Sequence, residues 1–114
     1  MPITNALIVP PVQSSVANTP EIIYTSPANG LGTVITNLVV INDGGNGTQS
    51  YQLYIVASGG SPVLPISPQI SVAENRSDIS AEAAGQTIPA GGTLQFESSL
   101  SNSLIVTASG RELS

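Results

Sequence analysis

Seven carboxylates, two arginines and three tyrosines make up the ionisable side chains of this 114-residue sequence, which contains no histidine, cysteine or lysine. Those absences remove Ser/His/Asp and Cys/His nucleophiles, Schiff-base lysines and the usual zinc ligands together. Carboxylates alone can still cleave glycosides, provided that two of them face one another across a sugar-sized gap. Nothing in the spacing of Glu21, Asp43, Glu74, Asp78, Glu82, Glu97 and Glu112 pairs them in that way. Glu74, Asp78 and Glu82 recur every fourth residue. On a helix they would share a face and repel one another, and in a loop they would form at most a weak oxygen site for Ca²⁺, without the spacing of an EF-hand. Solvated surface charge is the reading adopted for the whole set. No catalytic residue, metal site or cofactor is expected.

The stretch IPAGGTLQF (Ile88 to Phe96) poses the same question for backbone chemistry. A phosphate-binding loop would need Lys and Ser or Thr after its last glycine and then a helix; a dinucleotide loop would need G-x-G-x-x-G. Here the residues that follow alternate as a strand does, so the loop reads as a turn. Pro89 would preset φ at its first central position, and Gly91 or Gly92 would supply a positive φ. Tyr24, Tyr51 and Tyr54 could stack on sugars. With no Trp and one Phe beside them, they read as core or interface residues. The sequons Asn46-Gly47-Thr48 and Asn75-Arg76-Ser77 read as chance in a chain rich in Ser, Thr and Asn.

Composition narrows the class. A net charge of −5 with only Arg76 and Arg111 positive argues against nucleic acid, which requires a basic footprint, and against anionic membranes. Charged residues are 8% of the chain, about a third of the usual share. Since 40% of residues are hydrophobic, disorder is not indicated. A surface of Ser, Thr, Asn, Gln and Gly suits a protein packed against neighbours better than a solitary one. No apolar stretch is long enough to span a bilayer, and the N-terminus MPITNALIVPPVQSS lacks the basic region of a signal peptide.

Short period-two segments separated by Gly, Pro and Asn turns predict an all-β chain: a single antiparallel β-sandwich or barrel over residues 21–114. EIIYT is a short strand. In Thr33–Asn42, Val34, Leu38 and Val40 share one face, and Ile35, Val39 and Ile41 the other, as expected for a central strand or for one sitting under an oligomer contact. Gln49–Ala57 alternates with Tyr51, Leu53 and Ile55 on one side. Short strands are expected near Ile70–Val72 and Gln86–Ile88. Leu94 and Phe96 point inward, as do Leu104, Val106 and Ala108 in the last strand. Asp78 could cap one helical turn through Ala84. Residues 1–20, with four prolines, read as an extended N-terminal arm that docks on a neighbour through Ala6, Leu7, Ile8 and Val9.

EIIYTSPANGLGTVITNLVVIN, SYQLYIVASGG, TIPAGGTLQF and the terminal LIVTASGREL resemble a recurrent type of small tailed-bacteriophage virion protein. In that type an opening of the form VYTAPAN…V…V.NTSG leads to a second long strand, an IPAGGTL turn and a last strand ending in SG.E plus a hydrophobe. The matching pieces are Tyr24–Asn29, Val34–Asn42, Ile88–Leu94 and Ser109–Leu113, within residues 21–113. The resemblance implies a β-sandwich or jelly roll that coats or glues a virion, with no catalytic residues. The expected function is a capsid decoration or cement protein, made in the host cytoplasm and placed on the capsid surface of the virion. Its expected partners are the major capsid protein and further copies of itself, most simply as a trimer. Candidate partner-binding residues are Ala6, Leu7, Ile8, Val9, Ile35, Val39 and Ile41. The alternative is a tail, fibre or baseplate module that binds a host glycan or another tail protein.

Overall fold

Alternation of apolar and polar residues gives each strand one face to bury, and two sheets meeting on those faces make the molecule. The computed structural model describes residues 3–61 and 64–113, with side chains from residue 7 onward. Among them lie nine strands: β1 (Ile3–Gln13), β2 (Glu21–Thr25), β3 (Gly32–Asn42), β4 (Gln49–Val56), β5 (Ile70–Val72), β6 (Arg76–Ile79), β7 (Thr87–Ile88), β8 (Thr93–Ser98) and β9 (Ile105–Leu113). Sheet A has the order β1-β9-β3-β6, with β7 also on β3; sheet B has the order β2-β8-β4-β5.

The pairing is nested. β1 pairs with β9, β2 with β8, β3 with β6 and β4 with β5, all antiparallel. The chain is thus one long hairpin, folded back between β4 and β5 and rolled so that successive pairs fall alternately in sheets A and B. That connectivity is the jelly roll, with β7 as an added short strand. The all-β sandwich read from the sequence is the observed fold.

Between the sheets, Val9, Ile35, Leu38, Val40, Val106 and Ala108 of sheet A meet Tyr51, Leu53, Leu94 and Phe96 of sheet B. The Tyr51 and Phe96 rings stack with centroids 5.7 Å apart. Leu94, Phe96, Leu104, Val106 and Ala108 all face inward, as their alternation predicts.

Four local expectations give way to tertiary structure. Residues 3–13 are not an arm apart from the domain: they form β1, laid along β9, with Ile8 and Val9 in the core. Gly110 on β9 makes room for this, since a Cβ there would sit 2.7 Å from Val34 O and 3.0 Å from Ile8 Cδ1. In β3, the ladder to β9 slips by one residue between Ile35 and Asn37. This bulge reverses the phase of alternation, so Ile35 joins Leu38 and Val40 inside while Val34 moves outward. No helical turn starts at Asp78, which instead lies in β6 opposite Val40. The turn that follows is held by Ser80 Oγ, which accepts a hydrogen bond from Ala83 N–H. The fourth is IPAGGTLQF. It is a turn, but Gly92 N–H donates to Pro89 O at 2.8 Å, making Pro89 its first residue and Ala90 and Gly91 its central pair. Gly91, at φ +73°, supplies the positive φ of the third position. Gly91 N–H then donates to Ser26 O, and Ser26 N–H donates to Gly92 O, which ties the turn to the end of β2.

Candidate interaction surface

Each tyrosine hydroxyl ends on a carboxylate, because a buried phenol body needs a partner for its polar tip. Tyr51 on β4 donates to Asp78 Oδ2 on β6 at 2.6 Å, crossing from sheet B to sheet A. Tyr24 on β2 donates to Glu112 Oε2 on β9, again across the sandwich, and lies 2.9 Å from Thr33 Oγ1. Within sheet B, Tyr54 donates to Glu97 Oε1 at 2.8 Å. The rings of Tyr51 and Tyr54 are buried, so neither offers a face to a sugar.

The three carboxylates spaced by four go to different places. Glu74 accepts Gly45 N–H at 2.8 Å, Asp78 accepts Tyr51, and Glu82 is exposed in the turn after β6. Among the described residues, no three His, Cys, Asp or Glu side chains gather to hold a metal ion. Asn42 is wholly buried at the end of β3. Its Nδ2 donates to Gly47 O and Val72 O, and its Oδ1 accepts Gly44 N–H, which fastens the 43–47 loop to β5.

These ties predict an alkaline limit to stability. Burial, and then the hydrogen bond to Glu112, push the Tyr24 hydroxyl up to about 12 from its ordinary 10. Burial followed by Asp78 raises Tyr51, and burial followed by Glu97 raises Tyr54. A folded-state pKa raised above the unfolded one means that the fold favours the protonated phenol. The stabilisation is complete below about pH 10 and is lost as the pH rises through the folded-state values. The thermal midpoint should therefore show no tyrosine-dependent fall up to about pH 10 and drop above it. Phenolate absorbance should appear together with unfolding; an independent titration of all three tyrosines near 10 in the folded protein would contradict the ties.

The outer face of sheet A carries apolar side chains. Val39 on β3 stands opposite Ile79 on β6, and Ile41 stands opposite Ile105 on β9. Ile79 is 67% exposed, and Val39, Ile41 and Ile105 are half-buried. At the ends of β3 and β6 this patch runs into a shallow hollow of about 380 Å³, lined by Ile41, Asn42, Asp43, Asn75, Arg76 and Ser77.

Of the residues singled out from the sequence, Val39 and Ile41 lie in this patch and Leu7 is exposed on β1. Ile8, Val9 and Ile35 are buried in the core, which corrects their reading as contact residues: β1 completes sheet A, and the β3 bulge turns Ile35 inward. The side chain of Ala6 lies outside the described residues. Two members of the patch were missed. Ile105 follows from the alternation that sends Leu104 and Val106 inward. Ile79 was hidden because Asp78 reads as the cap of a helical turn through Ala84, although Ser77 and Ile79 do alternate with Asp78.

A jelly-roll sandwich with an apolar outer face is thus the class that fold and surface define. No protein-family model matches the chain, and no curated protein matches it. Among solved structures it is similar to a chain in the structure of infectious bursal disease virus, Gx strain, at 11% identity and a TM-score of 0.51, over 97% of this chain and 31% of that one. A chain of the Gt strain aligns at 10% identity and a TM-score of 0.48, over 97% and 32%. The crystal structure of the VP2 subviral particle of infectious bursal disease virus gives 10% identity and 0.47, over 97% and 31%. The protein spans about a third of the length of these neighbours, and the likeness to the Gx chain is one of fold.

Proposed function

We propose that the protein is a non-enzymatic structural component of a virion: a decoration or cement protein of a tailed-bacteriophage head. In this reading it binds across major capsid subunits on the capsid surface after synthesis in the host cytoplasm. The observation that carries the reading is a jelly roll of few charged side chains with an unpartnered apolar outer face, the surface of a protein made to be packed. Support comes from the similarity of almost the whole chain to part of a viral chain, and from the recurrence of jelly rolls in viral capsid domains. The motifs shared with small tailed-phage virion proteins supply the tailed-phage setting.

The test is attachment. The purified protein should co-sediment saturably with emptied tailed-phage heads and raise the temperature at which they come apart. Failure to bind any capsid or to stabilise one counts against the reading. The alternative, a tail or baseplate module, draws on the polar lip of Asp43, Asn75 and Arg76, which could hydrogen-bond a glycan. Copy number in purified virions separates the two, since decoration demands many copies per head and a tail part few.

A further inference from the structure

The strand edges of this sandwich are blunted. β1 carries Pro10 and Pro11 and two register shifts, β2 lies between Pro20 and Pro27, and β5 and β6 are three and four residues long. Short, bulged and proline-bearing edges suppress association by added strands. The faces remain, and they differ. Across the outer face of sheet B, Gln52 stands opposite Glu97, Tyr54 and Gln95 are nearly covered, and Ile22 opposite Gln95 is a lone exposed apolar side chain. Across that of sheet A stand Val39, Ile41, Ile79 and Ile105.

Charge selects the occupant. With seven carboxylates and two arginines, most ways of bringing two copies together set carboxylate against carboxylate. The hollow that adjoins the apolar patch holds Arg76 and Asp43 together. Glu74, beside them in sequence, is already engaged by the Gly45 and Gly47 N–H groups. Opposite charges on one lip suit a two-fold contact, in which residue i meets residue j and j meets i. We propose that two copies of the chain pack the outer faces of sheet A on one another about a two-fold axis. Val39, Ile41, Ile79 and Ile105 are buried, and Arg76 of each copy faces Asp43 of the other.

This contact takes the apolar face on which the virion reading also rests, and it is tested separately from that reading, without capsids, by sedimentation equilibrium of the full chain. The wild-type protein should be a dimer at micromolar concentration. Ile79→Glu should weaken the dimer by more than about tenfold, because it places an unpaired charge at the centre of the contact. Ile22→Glu, at an equally exposed position on β2, should leave it unchanged. Arg76→Asp and Asp43→Arg should each be monomeric alone, and mixing the two variants should restore a dimer. In the mixed pair, the two carboxylates on the lip of one variant face the two guanidinium groups on the lip of the other. The mixing arm needs no substitution in the core: both side chains are exposed, so far-ultraviolet spectra of the two variants should match the wild type. A wild-type monomer, a trimer indifferent to Ile79→Glu, or folded charge variants that do not combine on mixing would each overturn the proposal.

Discussion

A chain lacking residues 1–13 should lose its cooperative urea transition. The reading of residues 1–20 as a separate arm expects such a truncation to leave the domain folded; the place of β1 in sheet A reverses that expectation. Ile8 and Val9 are both in the core, and burying side chains of this size contributes roughly 1.5–3 kcal/mol each, so about 3–6 kcal/mol goes with them. Removing β1 also uncovers the far edge of β9, together with Val106 and Ala108, which β1 flanks. Domains of this size hold only about 5–15 kcal/mol in total. The Val9→Ala variant is the milder companion, expected to lower the urea midpoint while keeping a single transition. If the truncated chain unfolds with the midpoint of the full chain, β1 is not part of the cooperative unit.

Phe96→Ala should cost about 3–5 kcal/mol, the range for deleting a buried aromatic ring. Phe96 is 1% exposed in the middle of β8, the strand that pairs with both β2 and β4. Its ring stacks on Tyr51, which in turn carries the hydrogen bond to Asp78 across the sandwich. A cavity at Phe96 therefore loosens both the packing and the position of one of the two tyrosine ties between the sheets. Chemical denaturation of Phe96→Ala and Phe96→Leu checks this, with Leu expected to recover a substantial part of the loss. A ring-deletion cost below about 1 kcal/mol would mean that the core closes over the gap, contrary to the close packing described here.

Several features were legible because they are local. Alternation of apolar and polar residues placed Leu94, Phe96, Leu104, Val106 and Ala108 inside, and the chain's punctuation by Gly, Pro and Asn marked the turns. The short strands near Ile70–Val72 and Gln86–Ile88 were also visible, as was the reading of IPAGGTLQF as a turn rather than an anion cradle. Half of the candidate surface was there too, in Val39 and Ile41, since a strand apolar on both faces has to cover the second one.

The tertiary structure decided what alternation cannot encode. Pairing of β1 with β9 joins residues 98 positions apart, as Thr107 Oγ1 donating to Val9 O illustrates, and no periodicity within ITNALIVPPVQ names that partner. The β3 bulge at Ile35–Asn37 shifts the phase by one residue, and a one-residue shift exchanges inside for outside, so Ile35 went to the core while Val34 left it. The partners of the three tyrosines likewise follow from which strands the roll brings face to face. Sequence determined most of the strands, β1 and β6 excepted, and which side of most of them is apolar. The rolled topology determined which of those sides meet, and therefore left Val39, Ile41, Ile79 and Ile105 as the apolar surface still to be covered.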